Sequence, residues 1–131
     1  MAVPERRAED GRQGSRMTTT IYHNPRCSKS RQTLALLRDK GIEPVVVEYL
    51  TETPDTATLA GLLDMLGLEP RQLMRRSEAV YRELNLADPA LGRDALIAAM
   101  VANPILIERP VVVANGQARI GRPPESVLEI L

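Results

Sequence analysis

The sequence predicts an α/β domain around a central mixed four-stranded sheet, in the order strand, helix, strand, helical stretch, two strands, closing helix. Three observations carry this prediction. β-branched and apolar runs near both ends, at residues 18–22, 45–50, 111–113 and 118–120, read as short strands. Leucines at helical spacing fill the middle of the chain. Asn115-Gly116, between the last two apolar runs, is the strongest short-range hairpin signal. The chain has 131 residues, the length of about one domain. That is enough to bury roughly two-thirds of the unfolded surface without disulfide or metal staples.

Residues 1–16 are mostly charged residues with Gly, Pro and Ser, too poor in apolar surface to offset ordering entropy. They read as a disordered N-terminal tail ahead of a domain at 17–131, with Met17 a candidate start. The strand TTTIY at 18–22 stops at Asn24-Pro25. A helix over 30–40 follows, with Leu34 and Leu37 on one face and Gly41 as its stop. Val45-Val46-Val47, running to Leu50, reads as a strand covered on both faces. Strand, helix and strand form a βαβ unit with a parallel pair and a right-handed crossover.

Thr53 is the predicted N-cap of the next helix and Pro54 its first residue; Leu59, Leu62, Leu63 and Leu66 form its stripe up to Gly67. Pro70 opens a short helix through Leu73, Met74 and Arg75. A third stripe, Leu96, Ile97, Met100 and Val101, ends at Asn103-Pro104. All three stripes read as core rather than as a cofactor box. After the hairpin, Arg122-Pro123-Pro124-Glu125 opens a closing helix with Val127, Leu128 and Leu131 facing inward. The whole is a thioredoxin-like fold with a helical insert.

Composition excludes several function classes. Seventeen basic residues balance seventeen acidic ones, so no global field steers the chain to nucleic acid or to anionic lipid. Three Tyr, with no Phe or Trp, make no base-stacking platform. No apolar run is long enough to span a membrane, and the N-terminus lacks an apolar leader. One Cys and one His make neither a disulfide nor a zinc cluster, so no metal is expected. The expectation is a cytoplasmic monomer. Fifteen of the basic residues are Arg. Codon bias and oxyanion recognition explain that equally well, and only the positions of the arginines can decide.

A lone Cys is ordinarily a small buried hydrophobe. Cys27, however, follows the first strand and His23-Asn24-Pro25-Arg26, and sits at the mouth of the first helix. Sites in open α/β sheets form beyond the carboxyl ends of strands. Free N–H groups and the positive helix end there favour a thiolate, the nucleophilic form. Ser30 stands where a C-x-x-C motif needs its second Cys, and Thr33 where C-x5-R needs its Arg. What remains is a monothiol resolved by an external thiol. His23 either stabilises that thiolate or holds the loop by hydrogen bonding. Arg75, Arg109 and Arg122 are either solvated charges or, if they converge, an oxyanion pocket.

The string His23-Asn-Pro-Arg-Cys-Ser-Lys-Ser-Arg31, with Glu108-Arg109-Pro110 and Arg119-Ile-Gly-Arg122-Pro-Pro, resembles the glutaredoxin-linked arsenate reductases, the ArsC family. The likeness runs over about residues 19–131 and is greatest to the YfgD-type branch. The resemblance implies Cys27 as the nucleophile toward arsenate, with His23 beside the thiolate. Arg75, Arg109 and Arg122 would be the three arginines that hold the oxyanion. It further implies a cis Arg109–Pro110 bond, glutathione as co-substrate with no bound cofactor, and glutaredoxin as partner. Some members carry a second Cys where this chain has Gly121, and Arg76 beside Arg75 leaves that assignment open by one position. Two other readings remain. One is a thiol enzyme for another oxyanion or a glutathionylated protein. The other is an RNA polymerase-binding regulator of the Spx type, whose C-x-x-C switch Ser30 breaks.

Overall fold

The computed structural model describes residues 18–131, so the expected tail at 1–16 lies outside the described residues. The described chain forms two compact units, residues 18–47 with 109–131, and residues 48–108.

The first unit carries β1 (Thr20–His23), α1 (Ser28–Asp39), β2 (Val45–Glu48, its last residue opening the second unit), β3 (Val111–Ala114) and β4 (Gln117–Ile120). The sheet order is β2-β1-β3-β4. It is mixed, the thioredoxin-like arrangement. β3 runs antiparallel to β1, pairing Val112 with Ile21, and antiparallel to β4. Asn115 and Gly116 both take positive φ (54° and 74°), as a tight hairpin turn requires. Ile21, Leu37, Val112, Ala114, Val127 and Ile130 form the buried core, with Leu34 and Val46 packed against it. Each large member stabilises the unit by about 1.5–3 kcal/mol.

Two expectations for this unit are corrected. β2 is an edge strand that ends at Glu48, and Val45 is 53% exposed, so it is not covered on both faces. A continuous apolar run does not distinguish a central strand from the rim. The closing segment Pro124–Ile130 is a 3-10 helix rather than an α-helix. Its buried residues, Pro124, Val127 and Ile130, recur every third position, the 3-10 period. Leu128 and Leu131, expected inside, are therefore exposed.

The 48–108 unit is the helical insert, with α2 (Thr56–Leu66), α3 (Pro70–Leu73), α4 (Ala79–Glu83) and α5 (Arg93–Ala102). Leu59, Leu62 and Leu63 of α2 and Leu96, Ile97 and Met100 of α5 are buried, as their spacing predicts. The N-cap of α2 is Asp55, which accepts from the Thr58 N–H at 2.8 Å. Thr53 instead donates to the Tyr49 carbonyl. Gly67 ends the helix in the left-handed region (φ 69°). α3 stops at Leu73, so Met74 and Arg75 lie beyond it, and Met74 bridges Ile107. α4 has no counterpart in the sequence reading; five residues with only Tyr81 buried leave no stripe to detect.

Candidate active site around Cys27

Cys27 is the N-cap residue of α1, in extended backbone (φ −95°, ψ 124°). The loop before it is folded on itself. Cys27 N–H donates to the Asn24 carbonyl at 3.0 Å, and the Asn24 side chain accepts from Arg26 N–H at 2.9 Å. The first bond closes a backbone turn and the second an Asx turn, both spanning Pro25, and together they set the sulfur at the first turn of the helix. No acidic residue stands in that turn to compete for its positive end. The side chain closes no cap bond of its own, but the Ser30 and Lys29 N–H groups lie close enough to favour its thiolate.

The cations arrive from the other side of the same unit. Arg122 Nη2 lies 3.5 Å from Cys27 Sγ. Arg109 acts on the sulfur through its charge and a side-chain hydrogen bond. The two arginines are tied together, since Arg122 Nε donates to the Arg109 carbonyl at 2.9 Å. Burial pushes the thiol up, for Cys27 is only 7% exposed. The Ser30 N–H, the Arg109 charge and hydrogen bond, and the Lys29 N–H outweigh that, so Cys27 sits below the ordinary thiol value. Arg122 itself is open to solvent, so the sulfur lies just beneath an accessible cation.

The corner that delivers these arginines depends on a glycine. Arg109–Pro110 is cis, as expected, and so is Arg122–Pro123. Gly121 N–H donates to the Pro110 carbonyl at 2.9 Å. A Cβ on Gly121 would meet Thr33 Oγ1 at 2.5 Å and Pro110 Cγ at 2.9 Å. Thr33 is fully buried in α1 and donates to the Lys29 carbonyl at 2.8 Å. The missing side chain lets the Arg109–Arg122 corner close onto the helix that carries Cys27.

His23 is buried, with Nδ1 2.6 Å from Ser30 Oγ, and Ser30 Oγ also accepts from Asn24 N–H at 3.0 Å. The Ser30 bond is of the kind expected of a residue that holds the loop. His23 bears on the thiol site through Ser30, whose own N–H faces the sulfur. Sequence reasoning missed Ser30 and Gly121 as site residues. Ser30 registered only as a Cys that was absent, and Gly121 only as a place where a Cys was missing.

Arg75 belongs to the 48–108 unit, where it bonds Glu78 and lies 3.7 Å (Nε to Oε1) from Glu108. The residue beside it, Arg76, is exposed and donates weakly to the Arg71 carbonyl. Among the described residues no group of three or more His, Cys, Asp or Glu is placed to hold a metal ion.

A sequence model described as the ArsC family matches residues 22–130. The YfgD protein of Escherichia coli (strain K12) is 64% identical over 112 residues, covering 85% of this chain and 94% of that protein. A protein of Rhizobium meliloti (strain 1021) named arsenate reductase is 50% identical over 115 residues, covering 88% and 82%. Among solved structures, an arsenate reductase from Vibrio cholerae superposes with a TM-score of 0.86 at 59% identity, covering 88% of this chain and 98% of that one.

Proposed function

This chain belongs to the ArsC family, and from that premise we propose that it reduces arsenate to arsenite through the Cys27 thiolate. The observation that carries the reading is the meeting of Arg109 and Arg122 on a lone thiol at a helix N-terminus. Two guanidinium groups against one thiolate leave net positive charge beside a nucleophile. That combination attracts an oxyanion and then attacks it.

In the proposed cycle Cys27 Sγ bonds to arsenic and an oxygen leaves as water, its protons drawn from solution. Arg109 and Arg122 hold the remaining oxygens and stabilise the charge that develops on them. Arg75 is assigned the third grip on the family correspondence. His23 is a positioning residue that keeps Ser30, and so the first turn of α1, in place. Glutathione bonds to the same arsenic with loss of a second water. A glutaredoxin thiolate attacks the glutathione sulfur, and the sulfur–arsenic bonding pair stays on arsenic, which falls from +5 to +3. Water then releases arsenite from Cys27. Overall two thiols become one disulfide and one arsenate oxygen becomes water. With a single Cys in the chain, the electrons come from outside, which makes glutathione a co-substrate and glutaredoxin a partner. Both belong to the cytoplasm, where the chain would act as a monomer.

The test is arsenate-dependent NADPH oxidation with glutathione, glutaredoxin and glutathione reductase, run on the chain and on Cys27→Ser. Turnover that the substitution abolishes is the expected result. No turnover with several glutaredoxins would overturn the arsenate reading and turn attention to other oxyanions.

A further inference from the structure

Arg75, the arginine the proposed reaction borrows from the 48–108 unit, is held by two carboxylates. The backbone around it is rigid. Arg75 N–H donates to the Leu106 carbonyl at 2.7 Å and Glu108 N–H to the Leu73 carbonyl at 2.8 Å. These two bonds flank the Met74–Ile107 bridge, and both bridge residues are buried. Arg75 and Glu108 are thereby fixed on neighbouring strands of chain, with Nε 3.7 Å from Oε1. Glu78 comes from the other direction. It is the N-cap of α4, yet its side chain makes no cap bond and bonds Arg75 Nη1 instead. All three side chains are mostly buried, at 23%, 23% and 27% exposure. Two carboxylates thus face one guanidinium.

We propose that Glu78 and Glu108 act as built-in competitors for Arg75 and so set how tightly the protein holds an oxyanion. The inference rests on the reading of Arg75 as an oxyanion-binding residue. A guanidinium grips an oxyanion through paired parallel N–H bonds. In this chain Nη1 already serves Glu78, and Glu108 faces Nε. An oxyanion must therefore displace Glu78, or accept a cation whose charge is already offset. The two carboxylates lower affinity for any oxyanion that must share Arg75 with them. Glu78 acts by charge and by occupying Nη1; Glu108, at the longer distance, acts by charge.

The experiment titrates inorganic phosphate and arsenate calorimetrically against the full chain carrying Cys27→Ser, which cannot turn over. The series is repeated with Glu78→Gln, Glu108→Gln and Arg75→Gln added singly, and with Arg75→Gln combined with Glu78→Gln. Glu78→Gln should tighten both anions roughly 3- to 10-fold, the range expected for freeing a half-shielded ion pair. Glu108→Gln should tighten them less, and Arg75→Gln should erase the gain. Equal affinity in Glu78→Gln and its parent overturns the inference, as does a gain that survives Arg75→Gln. Failure of the reductase reading looks different: arsenate turnover is absent while the Arg75-dependent gain in phosphate affinity remains.

Discussion

Substituting Gly121 by Ala adds one methyl at the tightest point of the site. The backbone there is not in the left-handed region, so the effect is purely steric. The new Cβ would stand 2.5 Å from Thr33 Oγ1, 2.9 Å from Pro110 Cγ and 3.1 Å from Thr33 Cγ2. Neither neighbour is a free side-chain end. Thr33 is buried and committed to the Lys29 carbonyl, and Pro110 is a ring. Overpacking of this kind costs about 1–3 kcal/mol, against about 0.4–1 kcal/mol gained from a stiffer unfolded chain. A net loss of about 1–2 kcal/mol is expected, read as a lower urea midpoint at unchanged slope. The strain has a second readout, because the next residue is Arg122. If the corner backs away from α1, Arg122 Nη2 leaves its 3.5 Å contact with Sγ, and the Cys27 thiol titrates higher in the pH dependence of its alkylation. Thr33→Ala removes both crowding Thr33 atoms, so Gly121→Ala should cost less in that background than alone. Gly121→Ala as stable as the parent with an unmoved thiol, or strictly additive losses in the double variant, would refute the reasoning.

Arg109→Gln removes the charge and hydrogen bond that hold the Cys27 thiol down, and Arg122→Gln the guanidinium 3.5 Å from its sulfur, so each should raise the pH at which the thiol ionises; thiolate ultraviolet absorbance against pH reads it. Because the folded thiol lies below its unfolded value, its contribution to stability is present above the unfolded value near 8.5 and fades as pH falls through the folded one. Urea midpoints of the parent should therefore gain on those of Cys27→Ser as pH rises across that window, and a constant difference would contradict the lowered thiol. Ser30→Ala strips His23 Nδ1 and Asn24 N–H of a shared buried partner, a loss of about 1–3 kcal/mol in the same denaturation assay.

The placement of Cys27 was legible because its signals are local. A strand ending at Asn24-Pro25, a Cys, and then a helix are consecutive in the chain, and local order fixes the thiol at the helix mouth. The hairpin was legible for the same reason, since Asn115 and Gly116 need only their own backbone preferences. The convergence of Arg109 and Arg122 on the sulfur was not. Residues 27 and 122 are 95 positions apart, and only the β1–β3–β4 register brings that corner to the helix. Gly121 shows the same limit more sharply, because a glycine required by a neighbour 88 residues earlier looks like any other glycine. Errors at β2 and at the closing segment have a different source. Apolar identity was read correctly there, but which face the sheet leaves open, and whether the period is three or nearly four, depends on what packs alongside.

The arrangement at Cys27 also explains why the N-cap residue of α1 is not one of the residues that usually cap best. Ser, Thr, Asp or Asn there would satisfy the orphan N–H groups of the first turn at any pH. A neutral thiol does so poorly, and the Cys27 side chain closes no cap bond here. The Ser30 and Lys29 N–H groups and the Arg109 and Arg122 guanidiniums are what a thiolate completes, so the helix end is served better by the charged form than by the protonated one. Stability that another cap would have supplied unconditionally is thus tied to the ionisation of Cys27. On the proposed reading, the same N–H groups and guanidinium forks would also meet the charge of a bound oxyanion, so the features that lower the thiol would be those that bind its substrate.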